Sequence, residues 1–144
     1  MLNIVTSKRK LKTAIPLLRS LTLETPADAY QKMQALCAEC GVAELLVEYL
    51  SKTYVCGANI WRGDKLVIAV SDRGERSDIF WFSFFHEIAQ LLNTRNKEAH
   101  ICFEGQEEEM DRLAGSILIP DKLYEKFLKE YNYENIKNIV DYAG

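Results

Sequence analysis

The sequence predicts an α+β domain: a small mixed or antiparallel sheet of three to four strands, packed against a central buried helix, with further helices toward the C-terminus. Three observations carry this expectation. Val42 to Tyr49, Tyr54 to Trp61 and Lys65 to Val70 are short runs rich in Val, Leu and aromatic residues, and Arg62-Gly63-Asp64 between the last two suits a hairpin turn. Ser77 to Asn93 is apolar nearly all round at helical periodicity, the mark of a buried helix. Amphipathic, charge-rich segments follow it, the first ended by Pro120.

Taken in order, residues 1–25 leave two readings open. Leu11, Ile15, Leu18 and Leu21 have the spacing of a short amphipathic helix, but Pro16 interrupts it unless it sits in the first turn. The segment is therefore read as an N-terminal extension, with one domain over 26–144. Thr25-Pro26 looks like a helix start, with Thr25 as cap and Pro26 at the first position. That helix runs to about Cys40 and stops at Gly41. After the three strands, Ser71 to Ser77 is a polar connection containing Gly74, and the long helix follows. Ala99 to Phe103 suits a short strand, and Gln106 to Ile119 a helix. Two further helices are expected near Asp121–Glu130 and Tyr133–Tyr142. No internal repeat, low-complexity stretch or flexible linker marks a second domain.

Composition narrows the function. The chain has 144 residues, 48% of them hydrophobic, enough for a real core. Its net charge is -3 with Lys and Arg scattered, which argues against direct nucleic-acid binding through a broad basic face. Lys8-Arg9-Lys10 is short and reads as a solvated tail. Charged residues interrupt every apolar run before it could span a membrane, and no long apolar signal core follows the basic start, so a cytoplasmic protein is expected. Of the four cysteines, Cys37 and Cys40 form a C-x-x-C pair. A zinc ribbon needs a second close pair, and Cys56 and Cys102 stand far apart, so small buried thiols are the expectation.

The long helix carries one polar stripe. At about 100° per residue, Ser83, His86, Glu87, Gln90 and Thr94 fall together. An unpaired buried polar group costs roughly 1–3 kcal/mol, so this stripe needs internal hydrogen bonds, a wet cleft or a metal. His86 as a hydrogen-bonded core histidine, with Glu87 paired to an arginine such as Arg73, would satisfy it. So would a metal, because residues four apart on a helix project the same way. In the next helix Glu108, Glu109 and Asp111 suit an N-terminus through the macrodipole alone.

Together these segments resemble the ImmA/IrrE family of zincin-like metallopeptidases, closest to the form found as the C-terminal part of HigA-like helix-turn-helix antitoxins and regulators. The carrying residues are Leu36 to Val42, Cys56-Gly57-Ala58 to Trp61, Lys65 to Val70, Asp78 through His86-Glu87, Glu109 to Ala114, and Leu118-Ile119-Pro120. The resemblance covers about residues 28–142. It implies a zincin-like fold, with His86 and Glu109 as zinc ligands and Glu87 as general base on the metal-bound water. Gln90 stands where the family has its second histidine, giving H-E-x-x-Q for H-E-x-x-H, and Ala89 replaces a common glycine. An amide oxygen is a poorer zinc ligand than an imidazole nitrogen, so His86, Gln90 and Glu109 are expected to bind zinc weakly or not at all. His100, the only other histidine, is expected at a strand edge, as a surface residue, with a rescue ligand as the alternative. The regulator form carries an N-terminal DNA-binding domain, which nothing here resembles, and usually continues beyond the last helix. A fragment, a truncated gene or a minimal member is expected.

Three functions follow as expectations. The first is a degenerate, non-catalytic regulatory or interaction domain of a toxin–antitoxin or mobile-element system, with a protein partner. The second is an active zinc endopeptidase that cleaves a repressor or antitoxin, with Glu87 catalytic. The third is a plain structural domain whose polar stripe is a packed hydrogen-bond network.

Overall fold

The sheet is mixed, as expected, but its order is not that of the chain. A computed structural model describes residues 5–48, 55–72, 77–95, 97–103 and 107–130. Among them the order is α1 (Lys8–Ser20), a short 3-10 turn, α2 (Pro26–Glu39), β1 (Val42–Glu48), β2 (Val55–Arg62), β3 (Lys65–Asp72), α3 (Ser77–Asn93), β4 (His100–Phe103), α4 (Glu108–Leu118) and α5 (Asp121–Glu130). Across the sheet the strands run β1-β3-β2-β4. β3 lies parallel to β1, while β2 is antiparallel to both β3 and β4. The β2–β3 hairpin closes through Gly63, whose φ of 63° is the left-handed conformation that a two-residue turn requires. The helix expected near Tyr133–Tyr142, Gly74 and Arg73 lie outside the described residues.

The first helix corrects the reading of Pro16. It lies well inside α1, not in a first turn. A proline there removes one backbone hydrogen bond, a cost of about 3 kcal/mol. Burial offsets it: Leu11 and Leu18 are fully buried and Leu21 nearly so, while Pro16 faces solvent. Fully burying a leucine contributes about 1.5–3 kcal/mol. Ser7 caps the helix by accepting the Lys10 N–H. The preceding residues are sewn to the sheet, because Thr6 N–H donates to Asp64 O at 3.0 Å and Leu66 N–H donates to Thr6 Oγ1 at 2.8 Å. The segment read as an extension thus joins the same core as the rest of the domain.

Register assigns two faces to the sheet. Val42, Leu66, Ile68, Val70, Gly57, Asn59, Cys102 and His100 share the inner face, because paired residues and their second neighbours point the same way. That face receives α3, whose Trp81, Phe84, Phe85, Ile88 and Leu91 join Leu11, Met33 and Cys37 in one core. The Trp81 and Phe85 rings stack at 6.1 Å between centroids. Cys37 and Cys40 are buried thiols, and burial pushes Cys37 up to about 12. On the outer face Leu45, Ala69, Ala58 and Ile101 make one apolar row across all four strands. Leu45 is 49% exposed, Ile60 45% and Ile101 54%. No helix among the described residues is long and apolar enough to cross a membrane.

Candidate functional site

His86 and Glu87 are neighbours on α3, about 100° apart around the helix axis, and that angle sends them to different partners. His86 turns to the start of α4. Its Nδ1 lies 2.8 Å from Asp111 Oδ1 and its Nε2 2.7 Å from Glu107 Oε2, with the ring 6% exposed. Glu87 turns to the sheet. It is 1% exposed, and its Oε2 accepts from Asn59 Nδ2 at 2.8 Å. Its Oε1 is buried without a hydrogen-bond partner. Gly57 makes this approach feasible, since a Cβ there would sit 2.9 Å from Glu87 Oε1.

β4 brings two more groups. His100 and Cys102 alternate by two along the strand, so both point to the inner face. Cys102 lies beside Glu87, and His100 Nε2 meets Glu107 Oε1. Glu107, the residue just before α4, thus holds one histidine with each carboxyl oxygen.

The electrostatics follow from burial set against these partners. Burial pushes the Glu87 carboxyl above its ordinary range, and the nearby Cys102, His86 and Asn59 offset this only in part. Burial, then the carboxylates of Glu87 and Glu107, push the Cys102 thiol up. Burial also works against ionised Glu107, but the bonds from His86 and His100 outweigh it and hold that carboxyl below its usual range. A further acid stands apart from this cluster. Glu44 on β1 is buried, neither carboxyl oxygen has a hydrogen-bond partner, and burial pushes it up to about 7.

The structure brings together only part of the expected set. His86 and Glu87 are central. Gln90 instead donates from Nε2 to Thr94 Oγ1 at 3.1 Å, along its own helix. Glu109 is exposed, and no hydrogen bond or ion pair joins it to His86 or Gln90. The residues facing His86 are Glu107 and Asp111, four apart and so on one side of the helix start. The zinc ligands that the resemblance implies, His86, Gln90 and Glu109, are thus not joined by hydrogen bonds in this structure. His100, expected as a surface residue, is half-buried against Glu107. Sequence reading missed Glu107, Asp111, Cys102 and Asn59 as partners. The available signals were the four-residue spacing of Glu107 and Asp111 and the two-residue spacing of His100 and Cys102. Compared with known protein families, with curated proteins and with solved structures, the chain returned no match.

Proposed function

We propose that this domain is a non-catalytic, zincin-like regulatory module that acts by binding a protein partner, within a cytoplasmic toxin–antitoxin or mobile-element control system. The observation that carries the non-catalytic reading is the placement of Glu87. A general base has to reach the water it activates. Glu87 is 1% exposed and engaged with Asn59. Peptidase chemistry also needs a metal with an open position; Gln90 is engaged with Thr94 and Glu109 is exposed, which supports the same reading.

The open face of the sheet favours binding over a merely structural role. Leu45, Ile60, Ile101 and Phe103 are exposed there together. A contiguous exposed apolar patch on a folded domain marks an interaction surface. The hydrogen-bonded stripe around His86 fits this module and a plain structural domain equally well; the sheet face separates them.

Two measurements test the reading. The purified chain is incubated, with added zinc, with a general protein substrate and with the regulators encoded beside it, and no cleavage is expected. Cleavage that disappears in Glu87→Gln would overturn the proposal. The double variant Leu45→Lys with Ile101→Lys is expected to stay folded and to lose its complex with a co-expressed neighbouring-gene product. A complex that survives both changes removes the sheet face as the interface.

A further inference from the structure

His86, His100, Cys102 and Glu107 converge from three elements, and the proposed partner binding does not use them together. His86 belongs to α3, His100 and Cys102 to β4, and Glu107 to the start of α4. Glu107 is the hub, with Oε2 at 2.7 Å from His86 Nε2 and Oε1 on His100 Nε2. The donor atoms of His100, Cys102 and Glu107 all lie within 4.8 Å of one another, as do those of His86, Glu87 and Cys102. Ligands placed tetrahedrally at zinc bond lengths stand about 3.3–3.8 Å apart; the two groups share Cys102, and the bond from His86 to Glu107 joins them on the other side.

Two separate features point to a cation. Asp111 holds His86 Nδ1 at 2.8 Å, which leaves Nε2 as the ligand atom. A carboxylate behind a histidine is the arrangement that orients metal-bound imidazoles. Glu87 Oε1 is buried with no hydrogen-bond partner, and the Glu87 carboxylate lies beside Cys102. Burial without a partner disfavours the ionised carboxyl, and a divalent ion among these groups offsets that cost.

We propose that His86, His100, Cys102 and Glu107 form a zinc-class metal site, with Gln90 and Glu109 outside it. Two imidazoles, a thiolate and a carboxylate select a borderline ion such as zinc over magnesium or calcium. Four protein donors fill a tetrahedron and leave no position for a water nucleophile, which makes this a structural or sensing site. Binding releases the thiol proton of Cys102 to solvent, since the thiolate is the ligand form. The site stands on these side chains alone and is independent of whether the sheet face binds a partner.

The test is a cobalt(II) titration of the whole chain, followed by absorption. We expect one cobalt per chain, intense four-coordinate d–d bands, a thiolate-to-cobalt charge-transfer band in the near ultraviolet, and displacement by zinc. Cys102→Ser should lose the charge-transfer band, and His100→Ala should abolish stoichiometric binding. Asp111→Asn should weaken affinity about 10–100-fold, while Gln90→Ala and Glu109→Ala leave it unchanged. A folded wild-type chain that retains no cobalt overturns the proposal. So does a spectrum without the thiolate band, a band that survives Cys102→Ser, or binding that depends on Gln90 or Glu109 instead of His100. Where a variant fails to fold, the wild-type spectrum alone decides whether a thiolate is bound.

Discussion

Replacing Gly57 by alanine tests the packing of the site directly. A Cβ at this position would lie 2.8 Å from Ala69 O and 2.9 Å from Glu87 Oε1, with Glu87 Cδ at 3.3 Å. The first atom is backbone of the neighbouring strand, which pairs here through Gly57 and Val70. The second belongs to a side chain that is itself buried and bonded to Asn59. Neither can retreat without loss. Moving β3 strains the ladder, and moving Glu87 breaks its bond to Asn59. Overpacking of this kind costs about 1–3 kcal/mol. At roughly 4 °C per kcal/mol for a chain of this size, Gly57→Ala should lower Tm by about 4–12 °C in a thermal melt. Gly115→Ala is the control. It sits in α4, where an added Cβ meets nothing within 4 Å. Alanine is preferred to glycine in a helix by about 0.5–1 kcal/mol, so Tm should rise by roughly 2–4 °C. A Gly57→Ala melt equal to wild type would mean that Glu87 does not rest against β2. The argument that Glu87 is turned away from any cleft water would fall with it.

Other perturbations give further tests. The Glu44 carboxyl stays neutral in the fold up to about 7, whereas its ordinary value is 4.5. Between those values the folded chain holds a proton that the unfolded chain releases, so stability from this group falls as pH rises through the window. Tm should therefore decline from pH 5 to pH 8, and Glu44→Gln should flatten that slope; an unchanged slope would refute the role of Glu44. Pro16→Ala restores the hydrogen bond missing in α1 and should stabilise by about 1–3 kcal/mol in chemical denaturation. A loss of stability would argue against a continuous helix over Lys8–Ser20. The phase of α4 is tested by a pair: Glu109→Ala should change stability by less than about 0.5 kcal/mol, whereas Asp111→Ala removes a partner of a buried ring and should cost about 1–3 kcal/mol. Equal effects would place the wrong face of α4 toward His86.

Local signals made much of the architecture legible from sequence. Strand and helix periodicities located the elements from Pro26 to Glu130 to within a residue or two. Gly41 and Gly63 end α2 and turn the hairpin with φ of 75° and 63°. The same local reasoning failed at Pro16, because whether a helix tolerates a proline depends on how much apolar surface its other face buries. Leu11 and Leu18 settle that only once the core is assembled.

By itself, the sequence determined the α+β class, the buried α3 and the polar stripe that contains His86 and Glu87, because these follow from periodicity within single segments. Tertiary structure alone decided what the stripe meets. The insertion of β3 between β1 and β2 sets which strands flank each other, and closure of that kind leaves no periodic trace. The docking phase of α4 chose Glu107 and Asp111 from a run of acids and left Glu109 in solvent. The pairing of β4 with β2 carried His100 and Cys102 to the inner face, opposite Asn59 and Gly57. Each of these outcomes depends on the relative rotation and register of separate elements, which core packing sets through contacts between residues distant in the chain.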